Sequence, residues 1–333
     1  YNFHMTYFDG WINVDDWHCE RWEGYETGVL NRFAFEFLEQ VGDDPFCLFI
    51  SPHQPHFTPG QFAPDEYYSR LPETLRLPAN VPEDIRAQTT AMYRHYLAMT
   101  LSLDDMLGEL LDYLDRTGRN ENTLVVFTSD HGTQVGAHGI NPWQKKLPYE
   151  ESLRVPLIMR LPGVLDGGRR NDVLTAPVDF LPSFCSLCGI DIPRTVEGYD
   201  ISEAWRGISD AFEQDAVLTM NHSAVYDFFV EGLEWRGVRT KRYNLTRRLD
   251  GTTTLHDIVE DPLQLRDRSE DPDSERIRAE LEQRLDELMA QRGDELVPCS
   301  VYRDWFDNQR RVIRNAFGPM GDPEDKPDWS LLR

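Results

Sequence analysis

At 333 residues, with 40% hydrophobic and 28% charged side chains, the chain is long enough for one large core, or for a large domain with a smaller one attached. A formal net charge of −24 repels nucleic acid and anionic membranes unless a local basic patch reverses it, and no apolar run approaches the roughly eighteen residues of a membrane span. Five cysteines, an odd number in so long a chain, exclude a disulfide scaffold.

Residues 1–28 are rich in aromatics and read as irregular. The apolar spacing of NRFAFEFLEQV predicts a helix over 31–41. FCLFIS, 46–51, lies between Asp44-Pro45 and Pro52 and predicts a short buried strand. A proline-stiffened loop rich in His and aromatics follows. A long helix runs from Pro82 to about Arg116, with Met92, Tyr96, Met99, Leu103, Leu107, Leu110, Leu111 and Leu114 in one stripe. TGRNENT then turns the chain into a second buried strand, 123–129. RVPLIMRLPG, 154–163, predicts a third strand, and VDFLPSFCSLCG a helix stopped by Gly189. The CxxC at Cys185 and Cys188 sits inside that helix and reads as small apolar packing, since no second CxxC completes a zinc site.

Beyond about Gly207 the rhythm changes. Short strands at 216–220, 225–232, 235–240 and 241–248 predict a small antiparallel sheet. A helix over 271–293 buries Ile277, Leu281, Leu285 and Leu288, with Asp273 or Ser274 as its cap. Three segments are expected: an α/β part over 1–207, an antiparallel subdomain with its helix over 208–297, and an arm over 298–333. The arm would pack on the body or on a second copy, making a homo-oligomer.

Helix and strand alternate up to Gly207, which predicts an α/β domain around a mostly parallel sheet. Ligands of such sheets sit beyond the carboxyl ends of the strands. The first strand runs out into SPHQPH, with His53 and His56; the second runs out into SDHG, with Asp130 and His131. A carboxylate and an imidazole suit Ca²⁺, Mg²⁺ or Mn²⁺, though two ligands alone are no site. Equally, Asp130 could cap the following turn and His131 could be a surface histidine. Lys145 and Lys146 are a solvated pair by themselves; beside a metal and two histidines they would make an anion pocket.

Four segments in order resemble the sulfatase family of the alkaline-phosphatase-like superfamily. They are SPHQPHFTP, NENTLVVFTSDHGTQVGAHG, WQKKLPYEESLRVPLIMRLPG and GVRTKRYNLTRRLDGTTTLHDIVEDPLQLRDRSEDP. The match spans about 46–290. The resemblance implies an alkaline-phosphatase-like α/β fold with a small C-terminal antiparallel sheet plus helix, and hydrolysis of a sulfate ester on a sulfated carbohydrate or aryl sulfate. It implies Asp130 and His131 as ligands of one divalent cation, most often Ca²⁺, although Asn commonly stands at the second position. His56 would contact the sulfate ester and protonate the leaving oxygen, Lys145 would bind the sulfate, and His53 would contribute substrate contacts. His222 is a candidate substrate contact in the region that would set specificity, with a surface turn residue as its alternative. Trp143, Asn221 and Trp235 are weaker substrate candidates, with packing as the alternative for both tryptophans.

The family nucleophile is a formylglycine made from Cys or Ser in a Cys/Ser-x-Pro/Ala-x-Arg motif. None of the five cysteines opens that motif. The resemblance therefore implies an upstream segment, or a companion chain, that supplies the formylglycine and the remaining metal ligands. Phosphonate monoester or phosphodiester hydrolysis by the same apparatus, and a catalytically inactive binding module, stand as alternatives. Cytoplasmic and periplasmic or secreted locations both stay open. Asn221-His222-Ser223 and Asn244-Leu245-Thr246 spell glycosylation sequons.

Overall fold

The computed structural model describes residues 6–14, 18–58, 60–222, 232–308, 312–315 and 318–319. Two compact units divide the chain: residues 1–123 with 133–144, and residues 124–132 with 145–333. No described helix is long and apolar enough to cross a membrane.

The first unit opens on an antiparallel pair, β1 (Phe8–Val14) and β2 (His18–Tyr25). An irregular segment was expected there. β2 is exposed at six of its eight positions, so it lacks the apolar alternation that marks a half-buried strand. Helix α1 (Glu26–Val41) buries Val29, Ala34 and Leu38 and ends at Gly42, whose φ of 59° takes the left-handed turn. Arg119 donates to the carbonyls of Leu38 and Gly42 at 2.8 and 2.7 Å, placing a cation on the helix's negative end.

A short helix α2 (Asp65–Ser69) precedes α3 (Arg86–Arg116), the long helix expected. Of the predicted stripe, Met99, Leu103 and Leu114 are buried, with Ala98, Ser102 and Met106 beside them. Asn31 ties α1 to α3 by donating to Met106 O and Glu109 Oε2 at 2.9 and 2.8 Å.

The expected strand over 46–51 does not form. The segment carries no ladder, and Phe49 is 90% exposed. An apolar run becomes a strand only where another backbone presents matching N–H and C=O groups, and local composition does not say where one will be.

In the second unit β3 (Val125–Thr128) pairs with β4 (Leu157–Arg160), Val125 opposite Arg160. The pair is antiparallel, whereas a mostly parallel sheet was expected; among the described residues no ladder is parallel. Both strands are half-exposed. Helices α4 (Glu150–Leu153), α5 (Phe180–Leu187) and α6 (Ser202–Arg206) follow. α5 stops where expected: Gly189 has φ 68°, and the Ile190 N–H returns to Cys185 O at 2.8 Å. Cys185 is buried and Cys188 exposed.

The C-terminal sheet runs β5 (Ala216–Asn221), β6 (Trp235–Thr240), β7 (Tyr243–Arg248) and β8 (Thr253–Asp257), antiparallel and in sequence order. β8 was not foreseen, and most of the strand expected over 225–232 lies outside the described residues. One face is apolar: Val238, Leu245 and Leu255 sit opposite one another and pack on Leu281, Leu285 and Leu288 of helix α7 (Glu275–Gln291), with Ile277 alongside. The turn entering α7 is capped by Asp271, not Asp273 or Ser274; Pro272 takes the first position, where its missing N–H costs nothing.

Past α7, Arg236 forks onto Asp294 at 2.5 and 2.9 Å, its side chain 1% exposed. Glu234 accepts from the N–H groups of Cys299 and Gly232 at 2.7 and 2.6 Å. Burial pushes its carboxyl up, but those hydrogen bonds win and hold it below the usual range. The start of the predicted arm is thus fastened to the sheet, and Cys299 is fully buried.

Candidate functional site

β3 delivers Asp130 and His131 just past its end. Asp130 Oδ1 accepts the His131 N–H at 2.9 Å, and the Ser129 hydroxyl donates to His131 O at 2.9 Å. His131 Nδ1 is 2.8 Å from Gly132 O. A carbonyl can only accept, so Nδ1 is the donor in that contact. The other ring nitrogen, Nε2, stands 3.4 Å from Asp130 Oδ2. Asp130 is 82% exposed and His131 39%.

A pair of this kind can offer two ligands to a cation. Calcium takes six or more oxygens, and no group of three or more His, Cys, Asp or Glu side chains gathers among the described residues. Two such side chains are not by themselves a metal centre.

Gly132 is required for closeness. Its N–H donates to Ser152 O at 2.9 Å, and a Cβ there would lie 1.9 Å from Glu151 O. The Asp130 loop is thereby pressed against α4. Gly132→Ala should destabilise the fold by about 1–3 kcal/mol, because the α4 backbone must shift; an unchanged urea midpoint would show that the contact is soft.

Lys145 belongs to the same unit and is half-buried. Burial lowers the pKa of its ammonium, Asp130 pulls it back up, and Lys146 lowers it again. Lysine and aspartate therefore stand within each other's field.

His53 and His56 lie in the first unit, in a loop held by an aromatic core. Phe57 is 5% exposed and packs with Tyr7, Ala63, Tyr67, Ala98 and Met99. The Tyr7 hydroxyl donates to His56 O. His53 Nδ1 meets the buried Glu26 carboxylate at 2.7 Å, while His56 is exposed. The Glu26 hydrogen bond raises the His53 pKa against the opposing effect of burial. A raised pKa makes the pair stabilising below the unfolded value of 6.5, and that stability is lost as pH rises through the folded value. An NMR titration should place His53 above 6.5, and Glu26→Gln should remove the shift; a wild-type His53 titrating below 6.5 would contradict the pairing.

His222 follows β5, with its ring already engaged: Nδ1 is 3.2 Å from Arg236 Nη2, Nε2 is 3.1 Å from Met220 Sδ, and Tyr302 stands edge-on. Burial and the Arg236 charge lower its pKa. Trp143 is 57% exposed although stacked on Phe57, whereas Trp235 is 2% exposed and packed. Asn221 donates to Leu233 O at 2.7 Å. Asn244 is 1% exposed, so its sequon is closed in the folded protein.

One serine does spell the nucleophile pattern, Ser202-Glu203-Ala204-Trp205-Arg206. It starts α6, is 5% exposed, and its N–H is held by Asp200 Oδ1 at 3.0 Å. A serine packed into a helix start is not a presented nucleophile. A cleft of about 630 Å³ in the first unit, between Phe35, Glu39, Tyr113, Arg116, Thr117 and Arg119, holds none of the predicted residues.

The α/β architecture with its C-terminal antiparallel sheet has solved counterparts. A structure described as in complex with its substrate D-glucosamine-2-N,6-O-disulfate aligns with a TM-score of 0.74 at 21% identity, over 88% of this chain and 74% of the other. A phosphonate monoester hydrolase from Silicibacter pomeroyi aligns with a TM-score of 0.63 at 20% identity, over 80% and 60%. The fold is alkaline-phosphatase-like. The sulfatase family model matches residues 2–190, and a model of the C-terminal part of N-sulphoglucosamine sulphohydrolase matches 136–291. This chain belongs to the sulfatase family. An ulvan-active sulfatase from Formosa agariphila is 35% identical over 304 residues, 90% of this chain. The chain spans 58% of that relative's length.

Proposed function

We propose that the protein carrying this chain hydrolyses sulfate monoesters of carbohydrates. The observation that carries the reading is the Asp130–His131 pair with Lys145 in its field, inside a sulfatase-family match over 2–190. The net reaction breaks the S–O bond to the alcohol, leaves a hydroxyl from water on sulfur, and puts a proton on the departing oxygen. Lys145 offsets the charge of the sulfate group. His56, exposed and held through its backbone, is the proposed proton donor to the leaving oxygen. His53 and His222 are proposed substrate contacts. Asp130 and His131 supply two donors to a divalent cation, Ca²⁺ in this reading, which would add charge stabilisation when bound. The attacking oxygen is assigned to a formylglycine that none of the five cysteines here can become.

The test is release of inorganic sulfate by the full-length protein from 4-nitrophenyl sulfate and from sulfated oligosaccharides such as ulvan fragments. The likeness to a phosphonate monoester hydrolase favours a second reading, checked in parallel with phenyl phosphonate monoesters. Turnover of the phosphonate alone would replace the first reading with the second. No turnover of any ester would leave a binding module.

A further inference from the structure

The C-terminal sheet has a second face, opposite the one that packs on α7, and it grips the segment that follows Lys145. Trp235 Nε1 donates to Lys146 O at 2.7 Å, and Asn244 Nδ2 donates to Pro148 O at 2.7 Å. Gln264 Oε1 accepts the Glu150 N–H at 2.7 Å. Arg239 forks onto both oxygens of Glu150, at 2.8 and 3.1 Å. The Tyr149 and His256 rings meet edge-on, 5.9 Å apart. Every second residue, 146, 148 and 150, is therefore held.

The register explains why these side chains converge. Trp235 and Arg239 lie four apart on one strand, so they share a face. Arg239 sits opposite Asn244, and Asn244 opposite His256. Gly237 stands between the first two, where a Cβ would come within 2.8 Å of Leu245 O. The row is dry: Trp235 and Asn244 are 2% and 1% exposed, and the Arg239 and Glu150 side chains 14% and 12%. Irregular backbone is rarely buried unless its polar groups find partners, and here side chains supply them in place of a ladder.

We infer that Trp235, Arg239, Asn244 and Gln264 are positioning residues for the Lys145 ammonium. A lysine stem is long, rich in rotamers, and can swing its charge widely. Pinning the carbonyl one residue further on fixes where that stem begins and keeps its end in the field of Asp130. The Ser152 carbonyl that receives Gly132 completes the arrangement, so one short segment links the lysine, the Asp130 loop and the sheet. None of the four is offered as a contact to substrate. The inference rests on the reading that Lys145 meets the sulfate group.

The test uses the full-length protein and reads Lys145 directly. Lysines are acetylated with acetic anhydride, with and without inorganic sulfate, and Lys145 and Lys146 are quantified by peptide mass spectrometry. Sulfate should protect Lys145 in the parent protein. Trp235→Phe deletes the N–H and keeps an aromatic ring; Asn244→Leu deletes the amide at similar volume. Each should abolish most of that protection and lower kcat/KM for 4-nitrophenyl sulfate by about ten- to a hundredfold. Neither should slow a Lys145→Ala enzyme further. Absence of protection in the parent protein defeats the Lys145 reading itself. Protection in the parent that persists in both variants defeats the positioning role alone, as does an equal further loss in the Lys145→Ala background. Failure of both variants to fold also overturns it, since the face would then be core.

Discussion

Lys145→Ala in the full-length protein is expected to lower hydrolysis of 4-nitrophenyl sulfate by about 10²- to 10³-fold, the usual consequence of deleting one charged group that stabilises a transition state. The loss should appear mainly in kcat/KM, since in the proposed role the lysine would offset sulfate charge both when substrate binds and as the S–O bond breaks. Lys145 is only half-buried, so truncating it removes little packing, and the thermal midpoint should stay within a few degrees. Lys145→Arg keeps the charge on a planar head of different reach and should recover only part of the rate. A Lys145→Ala protein with more than half of the parent rate would exclude this lysine from the site.

Asp294→Ala carries the largest expected cost to stability. It strips the partner from a guanidinium that is 1% exposed and bonded to both oxygens of that carboxylate. Removing one half of such a pair typically costs about 3–5 kcal/mol, because a buried charge is left uncompensated. The double variant Arg236→Met/Asp294→Leu removes both charges and should regain most of that loss. Urea unfolding of the three proteins gives the comparison. A single variant within about 1 kcal/mol of the parent would mean that water reaches Arg236 and replaces the lost partner.

Much of the chain could be read locally. α3 and α7 announce themselves by apolar spacing, and three of the four residues predicted for the α7 face are buried. β6 falls on the span predicted from WRGVRT. Two of the misreadings share one cause: whether 46–51 gains a ladder, and whether β3 finds a parallel or antiparallel neighbour, depend on distant backbone. β2 pairs with the neighbouring β1 and was hidden by its mostly exposed positions.

The same division holds at the candidate site. Asp130 and His131 were visible because they interrupt an apolar run. The reason for Gly132 was not: its constraint is the Glu151 carbonyl, nineteen positions along the chain. Trp235 carried a packing alternative, and it is buried; its indole hydrogen bond to Lys146 lies 89 residues away in sequence. A clue was present in the strand alternation, since Trp235 and Arg239 repeat at even spacing opposite the face of Val238.

That alternation has an evolutionary consequence. β7 gives Leu245 to the core against α7 and Asn244 to the lysine segment, so neighbouring positions of one strand answer to different selection. A single inserted residue at the turn 241–242 would exchange the two, sending an amide into the leucines and a leucine against the Pro148 carbonyl. Length changes in that turn should therefore be purged, while the exposed turn at Asp250–Gly251 is free to drift. Lineages of this protein should differ in the second turn and keep the first at constant length, even where nearly every side chain around them has been replaced.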